Sequence, residues 1–319
     1  MNGQASLNFQ AFPPLPGSPV PAPKTGTLKS PENKVAFITG GAGGIGLALG
    51  RTFLAAGMKV MLADVRDDAL ARLEPEFTGR PVRFMTLDVT QPEELQKAAD
   101  ETENAFGRVD VLCNNAGVNI FGPVGSADPQ DLNWVLDVNL RGVLNGLAAF
   151  LPKIKAQGAG GHILNTASVA AWVGSPRAGI YTASKAAVCA LSESLWYELA
   201  PLGIGVSVLC PGLVKTEIYR SRELHPIRPE SLDTERLRKV HEAGMEPMKV
   251  AQKAYHAMLK NELFIFTHPE HKQEFVERSE RLANLFPEES VEPAREAFER
   301  SRLESQRAAR KHGLEGLES

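Results

Sequence analysis

The segment that most limits the fold is a glycine-rich turn between a strand-like and a helix-like run. Lys34-Val35-Ala36-Phe37-Ile38-Thr39 is apolar and β-favouring, and it leads straight into Gly40-Gly41-Ala42-Gly43-Gly44-Ile45-Gly46. Beyond the turn, Leu47, Leu49, Phe53 and Leu54 fall at helical spacing. Such a turn brings free backbone N–H groups and the positive end of a helix dipole to one point, which suits an anion such as a pyrophosphate. The glycines let the backbone turn tightly and approach that anion closely. A second strand-like run, Met58 to Ala63, ends in Asp64, eighteen residues beyond Gly46. An acid at that place can meet the ribose hydroxyls of a dinucleotide.

Strand and helix patterns go on alternating. Strands are expected near 34–39, 58–64, 82–87, 109–112, 160–166, 204–210 and 262–267, and helices near 44–56, 67–77, 91–106, 130–157, 180–200 and 247–260. This predicts a single-domain α/β fold, a doubly wound parallel sheet of the Rossmann type with helices on both faces. The ligand site belongs across the carboxyl ends of the strands, where strand order reverses.

A second constellation lies further along. Tyr181-Thr182-Ala183-Ser184-Lys185 sets a phenol and an ammonium four positions apart, on one face of a helix. The phenol has an ordinary pKa of ~10, and a neighbouring cation favours the phenolate. Ser168, thirteen residues before Tyr181, follows the run His162-Ile163-Leu164-Asn165-Thr166, which reads as a strand ending at a loop. Its hydroxyl can donate to a substrate oxygen that the tyrosine protonates or deprotonates.

Together these residues resemble the short-chain dehydrogenases/reductases. Thr39, Gly40, Gly44 and Gly46 match Thr-Gly-x-x-x-Gly-x-Gly, and Asn114-Asn115-Ala116-Gly117 follows the strand Val109-Asp110-Val111-Leu112. Asn139 stands in Val138-Asn139-Leu140, Ser168, Tyr181 and Lys185 supply the remaining catalytic types, and Pro211-Gly212 follows the sixth strand. The resemblance covers residues 33 to 265. It implies hydride transfer between a nicotinamide cofactor and a secondary alcohol or ketone, with Asn139, Ser168, Tyr181 and Lys185 as the catalytic set. In that scheme Lys185 lowers the tyrosine pKa and binds nicotinamide-ribose hydroxyls, and Asn139 holds a water that links Lys185 to solvent. The implied cofactor contacts are Gly40, Gly44, Ile45, Gly46, Asp64, Asp88, Val89, Asn115, Ala116, Gly117, Tyr181, Lys185, Pro211, Gly212, Val214 and Thr216. Asp88, after Phe84-Met85-Thr86-Leu87, resembles the acid that hydrogen-bonds the adenine amino group.

Charge favours NAD over NADP. An ionised Asp64 repels a 2′-phosphate, and the positions where NADP-using relatives carry a basic residue are Gly43 and Val65 here. Arg66 lies one step further on and could reach a phosphate. The substrate wall is expected from Phe121, Ser168, Trp172, Leu213 and Tyr219, an apolar and aromatic set. Finer stretches, Ala-Gly-Val-Asn-Ile-Phe-Gly-Pro and Leu-Phe-Ile-Phe-Thr-His-Pro-Glu among them, resemble bacterial NAD-dependent Cα-dehydrogenases, which oxidise a benzylic alcohol of lignin-derived aryl ethers. A reductase of acyl or steroid ketones is the competing enzyme. A catalytically silent dinucleotide sensor would have lost the tyrosine or lysine.

Composition sets the remaining bounds. The 319 residues are 43% apolar and 23% charged with a net charge of −3, which gives no attraction to nucleic acid or to anionic membranes. No apolar run reaches the ~20 residues of a membrane helix, and no secretory leader is visible. Cys113, Cys189 and Cys210 sit among apolar neighbours and read as reduced thiols of a cytoplasmic protein. The histidines lack a metal-ligand spacing, and His268 and His271 are expected at the surface. Residues 1–32 are proline-rich and read as a disordered arm, 33–267 as the dehydrogenase domain, and 268–319 as a charged helical extension. Apolar residues around more than one face of helices 130–157 and 180–200 predict a homodimer or homotetramer.

Overall fold

The computed structural model describes residues 30–227 and 235–314. The arm expected over 1–32 lies outside the described residues except for its last three. Seven parallel strands form one sheet: β1 (Val35–Thr39), β2 (Lys59–Asp64), β3 (Val82–Thr86), β4 (Val111–Asn114), β5 (Gly161–Thr166), β6 (Ile204–Cys210) and β7 (Phe264–Phe266). Their order is β3-β2-β1-β4-β5-β6-β7, so the direction of winding reverses between β1 and β4.

Strands buried on both faces read as continuous apolar runs, which is why the five inner strands were visible in the sequence; the edge strands β3 and β7 are only partly buried. In β1, Val35 and Phe37 point into one core layer while Ala36 and Ile38 point into the other. Among the described residues, the helices are α1 (Gly44–Ala55), α2 (Asp67–Leu73), α3 (Pro92–Phe106), α4 (Pro129–Leu136), α5 (Gly142–Ala156), α6 (Gly179–Leu199), α7 (Glu235–Glu242), α8 (Pro247–Leu259), α9 (Lys272–Ala283) and α10 (Pro293–Leu314). Helices α3, α5 and α6 cover the first layer, where Phe150 of α5 packs on Phe37 with ring centroids 4.3 Å apart. Helices α1 and α8 cover the second through Leu49, Phe53, Ala254 and Met258. Truncating a fully buried Phe37 to Ala would cost ~3–5 kcal/mol.

The helix expected over 130–157 is two helices joined by one π turn, Asp137–Arg141. Asp128 caps its start by accepting a hydrogen bond from the Gln130 N–H. Helix α7 was not expected: only His241 among its residues is buried. Helices α9 and α10 make up the charged extension. Phe275 of α9 joins Trp172, Phe264 and Phe266 in an aromatic cluster, whereas Leu285 and Phe286 stand 78% exposed.

Candidate active site

A cleft of about 790 Å³ opens where the strand order reverses. Its floor is the glycine turn. Gly44, the first residue of α1, has φ +51°, a left-handed conformation costly for any side chain, and its amide opens the helix with no acid in the first turn. A Cβ on Gly46 would lie 2.1 Å from the Gly40 carbonyl oxygen, so the helix meets the turn only because that residue is glycine. Thr39 ties the turn to the next segment: its Oγ1 accepts the N–H groups of Asn115 and Ala116, each at 3.0 Å. The residues fit a dinucleotide: a bare backbone cradle at a helix N-terminus, with an acid at the end of β2.

That acid is already engaged. One oxygen of Asp64 accepts the Ala42 N–H at 3.0 Å, and the other takes the Arg66 N–H at 3.0 Å and Nε at 3.2 Å. Arg66 reaches on to Glu217 at 3.3 Å, across the cleft mouth. Asp88 turns one carboxylate oxygen to the Thr90 N–H. Of the sixteen residues expected to hold the cofactor, all but Gly46 line the cleft; Gly46 is buried beneath it.

The residues expected to be catalytic come from three elements. Ser168 follows β5, its Oγ accepting the Ala170 N–H at 3.1 Å and donating to the Pro211 carbonyl at 3.4 Å. Tyr181 and Lys185 come from α6. The Lys185 ammonium donates to the Thr166 carbonyl at 2.8 Å and lies 5.7 Å from the centre of the Tyr181 ring. Burial pulls the Lys185 ammonium down to about 8. Burial likewise pushes the Tyr181 phenol up, against a hydrogen bond with Ser168 that works to lower it. Loss of hydration disfavours the phenolate, so burial and the Ser168 hydroxyl act on Tyr181 in opposite directions.

Asn139 sits on the π turn, fully buried. Its amide brackets Val118, accepting the N–H at 2.8 Å and donating to the carbonyl at 2.9 Å, and also donates to Ser184 at 3.0 Å. It does not line the cleft. A Cβ on Gly117 would lie 3.2 Å from Lys185 Nζ and 3.4 Å from Asn139 Oδ1, so the two groups flank that glycine.

Of the expected substrate residues, Phe121, Ser168 and Leu213 line the cleft. Trp172 and Tyr219 do not. Trp172 is drawn into the cluster with Phe264 and Phe275, and Tyr219 packs on the His241 ring at 5.3 Å. Trp134, Ile218, Leu224 and His241 line it in their place. A further correction concerns His268, placed at the surface from sequence: it is 4% exposed and bonded to the Pro211-Gly212-Leu213 turn. His271 lines the cleft.

Residues 213–227 form the outer wall and are stapled shut by groups the sequence did not single out. Arg222 donates to both carboxylate oxygens of Asp131 on α4, at 3.0 and 2.6 Å. His225 Nε2 lies 3.4 Å from the same carboxylate, its ring 4.7 Å from that of Trp134. Ser221 Oγ accepts the Asn119 N–H at 3.0 Å.

A doubly wound sheet with a glycine-cradled cleft and a Ser/Tyr/Lys set in its wall defines a dinucleotide-dependent oxidoreductase of alcohols. The comparisons with known proteins make the class specific. The chain belongs to the short-chain dehydrogenase family: the family's sequence profile, described as short chain dehydrogenase, matches residues 34–226. It is 37% identical over 255 residues to the Cα-dehydrogenase of Sphingobium sp. strain SYK-6, covering 76% of this chain and 83% of that protein. A short-chain dehydrogenase structure from Novosphingobium aromaticivorans superposes with a TM-score of 0.78 at 42% identity, covering 90% of this chain and all of that one. A Burkholderia phymatum short-chain dehydrogenase/reductase solved in complex with NAD gives 0.76 at 33% identity, covering 82% and 99%. The protein is thus an oxidoreductase that moves a hydride between a nicotinamide cofactor and a secondary alcohol or ketone. Among the described residues, no helix is long and apolar enough to cross a membrane.

Proposed function

We propose that the protein is an NAD-dependent dehydrogenase of aryl-substituted secondary alcohols, with Tyr181 as the proton carrier. The observation that carries this reading is the convergence of Ser168, Tyr181 and Lys185 at a cleft whose outer end is walled by Phe121, Trp134, Val138, Leu213 and Leu224. Such a wall suits a flat apolar ring. Likeness to a Cα-dehydrogenase supports the benzylic class. Asn119 adds one polar point: its Oδ1 is buried without a hydrogen-bond partner among the described residues. An unmet acceptor costs ~1–3 kcal/mol, which a substrate hydroxyl would relieve.

NAD is favoured over NADP by Asp64, buried at the end of β2, and by Glu217 opposite it. Both acids engage Arg66, a nearby cation that could otherwise welcome a 2′-phosphate. A nicotinamide cofactor held in this cradle would supply the hydride chemistry at the carbinol carbon. The chain's own residues handle the proton. Ser168 turns its one hydroxyl hydrogen from the Pro211 carbonyl to the substrate oxygen, and Tyr181 removes the alcohol proton or returns it to the ketone. A phenol raised by burial is a competent acid for reduction, so alkaline pH favours oxidation by supplying phenolate. Lys185, anchored on Thr166, offers its remaining hydrogens to ribose hydroxyls, and Asn139 supports the neighbouring Val118 backbone and a proton path past Gly117. A reducing cytoplasm suits three buried thiols that form no disulfide.

Initial rates of NAD reduction against benzylic, aliphatic and steroid alcohols test the reading. The benzylic members should give the highest kcat/KM, and NADP should support a far slower rate. Preference for an aliphatic or steroid alcohol would reject the substrate class while leaving the chemistry intact.

A further inference from the structure

We propose that His268 is a positioning residue for this site, fixing the Pro211-Gly212-Leu213 turn in register with Ser168. It lies beyond residues 34–226, the part of the chain matched by the family profile. The ring is buried and both its nitrogens are spent on the turn. Nδ1 accepts the Gly212 N–H at 2.9 Å, and Nε2 lies 2.9 Å from the Leu213 carbonyl oxygen. A backbone N–H can only donate and a carbonyl can only accept, so the two contacts dictate one state: neutral imidazole with its proton on Nε2. Thr267 Oγ1 lies 2.7 Å from Nδ1 and packs against the same edge of the ring.

The other side of the turn is held by the catalytic loop. The Pro211 carbonyl accepts the Val169 N–H at 3.0 Å and the Ser168 hydroxyl at 3.4 Å. The turn is therefore clamped between Ser168 and His268, and it lines the cleft at Pro211, Gly212 and Leu213. His268 has a firm footing. Thr267 is 1% exposed and its carbonyl accepts Lys253 Nζ of α8 at 2.8 Å, at the exit of β7. Contact is close: a Cβ on Gly212 would lie 2.8 Å from His268 Cγ. The imidazole thus carries the position of the sheet edge to the hydroxyl that steadies the reacting oxygen. Misplacement of such a group by ~1 Å costs as much as ~100-fold in rate.

The inference rests on reading the cleft as the hydride-transfer site, and its test has one arm independent of turnover. In wild-type protein, ¹⁵N NMR of the His268 ring should show a neutral imidazole protonated at Nε2; protonation at Nδ1 would overturn the proposal. His268→Ala should lower kcat by roughly 10- to 100-fold, with alcohol KM and NAD affinity within about threefold of wild type. His268→Asn, which keeps an acceptor for the Gly212 N–H, should recover most of that loss. An Ala variant within about twofold of wild-type kcat, or an Asn variant that folds yet is no faster than Ala, would overturn the role. If Ala does not fold, the Asn rate and the wild-type tautomer decide. The expected tautomer in a protein without any dehydrogenase activity would leave the clamp standing and sink the functional reading.

Discussion

Replacing Arg222 by Met should raise the KM for the alcohol several-fold, by at most about ten- to thirtyfold, while NAD affinity stays within a factor of about three. Arg222 and Asp131 join the outer wall of the cleft to α4 by two charge-assisted hydrogen bonds, with side chains 20% and 6% exposed. Removing one partner of a fully buried pair costs ~3–5 kcal/mol, because the other charge is stranded. Here Arg222 keeps some solvent contact and His225 remains beside the carboxylate, so the loss falls to ~1.5–2 kcal/mol. At 1.4 kcal/mol per tenfold, the ratio of closed to open wall falls about ten- to thirtyfold, which sets the upper bound on the loss of apparent substrate affinity. Steady-state kinetics at saturating NAD, run beside thermal unfolding, separate the possibilities. An unchanged KM with a large fall in melting temperature would show that the pair only packs α4, refuting its role at the cleft.

Three further outcomes are expected. Asp64→Ser should weaken NAD use and relax discrimination against NADP by removing like-charge repulsion, read as the ratio of kcat/KM for the two dinucleotides; an unaltered ratio would place selectivity elsewhere. His162 is fully buried, its ring 2.9 Å from Ser207 Oγ, and burial pulls it down to about 3. Between pH 6.5 and about 3 the unfolded chain binds a proton there that the folded one refuses, so stability present above pH 6.5 is lost as pH falls through that window. His162→Gln should flatten the acid limb of the stability profile, by at most ~1.4 kcal/mol per pH unit. Light scattering should give a multiple of the 34.5 kDa chain mass, since Leu144 stands 44% exposed beside half-buried Leu140 and Leu151 on α5 and its π turn, and Leu191 on α6; a mass of one chain would reject the oligomer.

Local sequence carried the strands, the glycine turn and the catalytic register because each is written in neighbouring residues. Buried parallel strands are unbroken apolar runs, and Tyr181 and Lys185 share a helix face by spacing alone. What was missed depends on distance along the chain. The Asp131–Arg222 pair spans 91 residues, and Gly212 meets His268 across 56. Nothing local to Thr267-His268-Pro269 marks a buried imidazole. The π turn escaped because Asp137–Arg141 holds no Gly or Pro and reads as continuous helix. Trp172 and Tyr219 were assigned to the substrate wall on residue type, and tertiary packing against Phe264 and His241 turned each elsewhere.

The central claim is that Tyr181 moves the proton at a site whose dinucleotide cradle is independent of it. Tyr181→Phe keeps the ring and its packing and removes only the hydroxyl. Single-turnover NAD reduction with a benzylic alcohol, measured beside NAD binding by fluorescence titration, tests this directly. Turnover should fall by ~100- to 10,000-fold, the usual reach of general acid–base catalysis, with NAD affinity nearly intact. A variant that turns over within a few-fold of wild type would contradict the assignment.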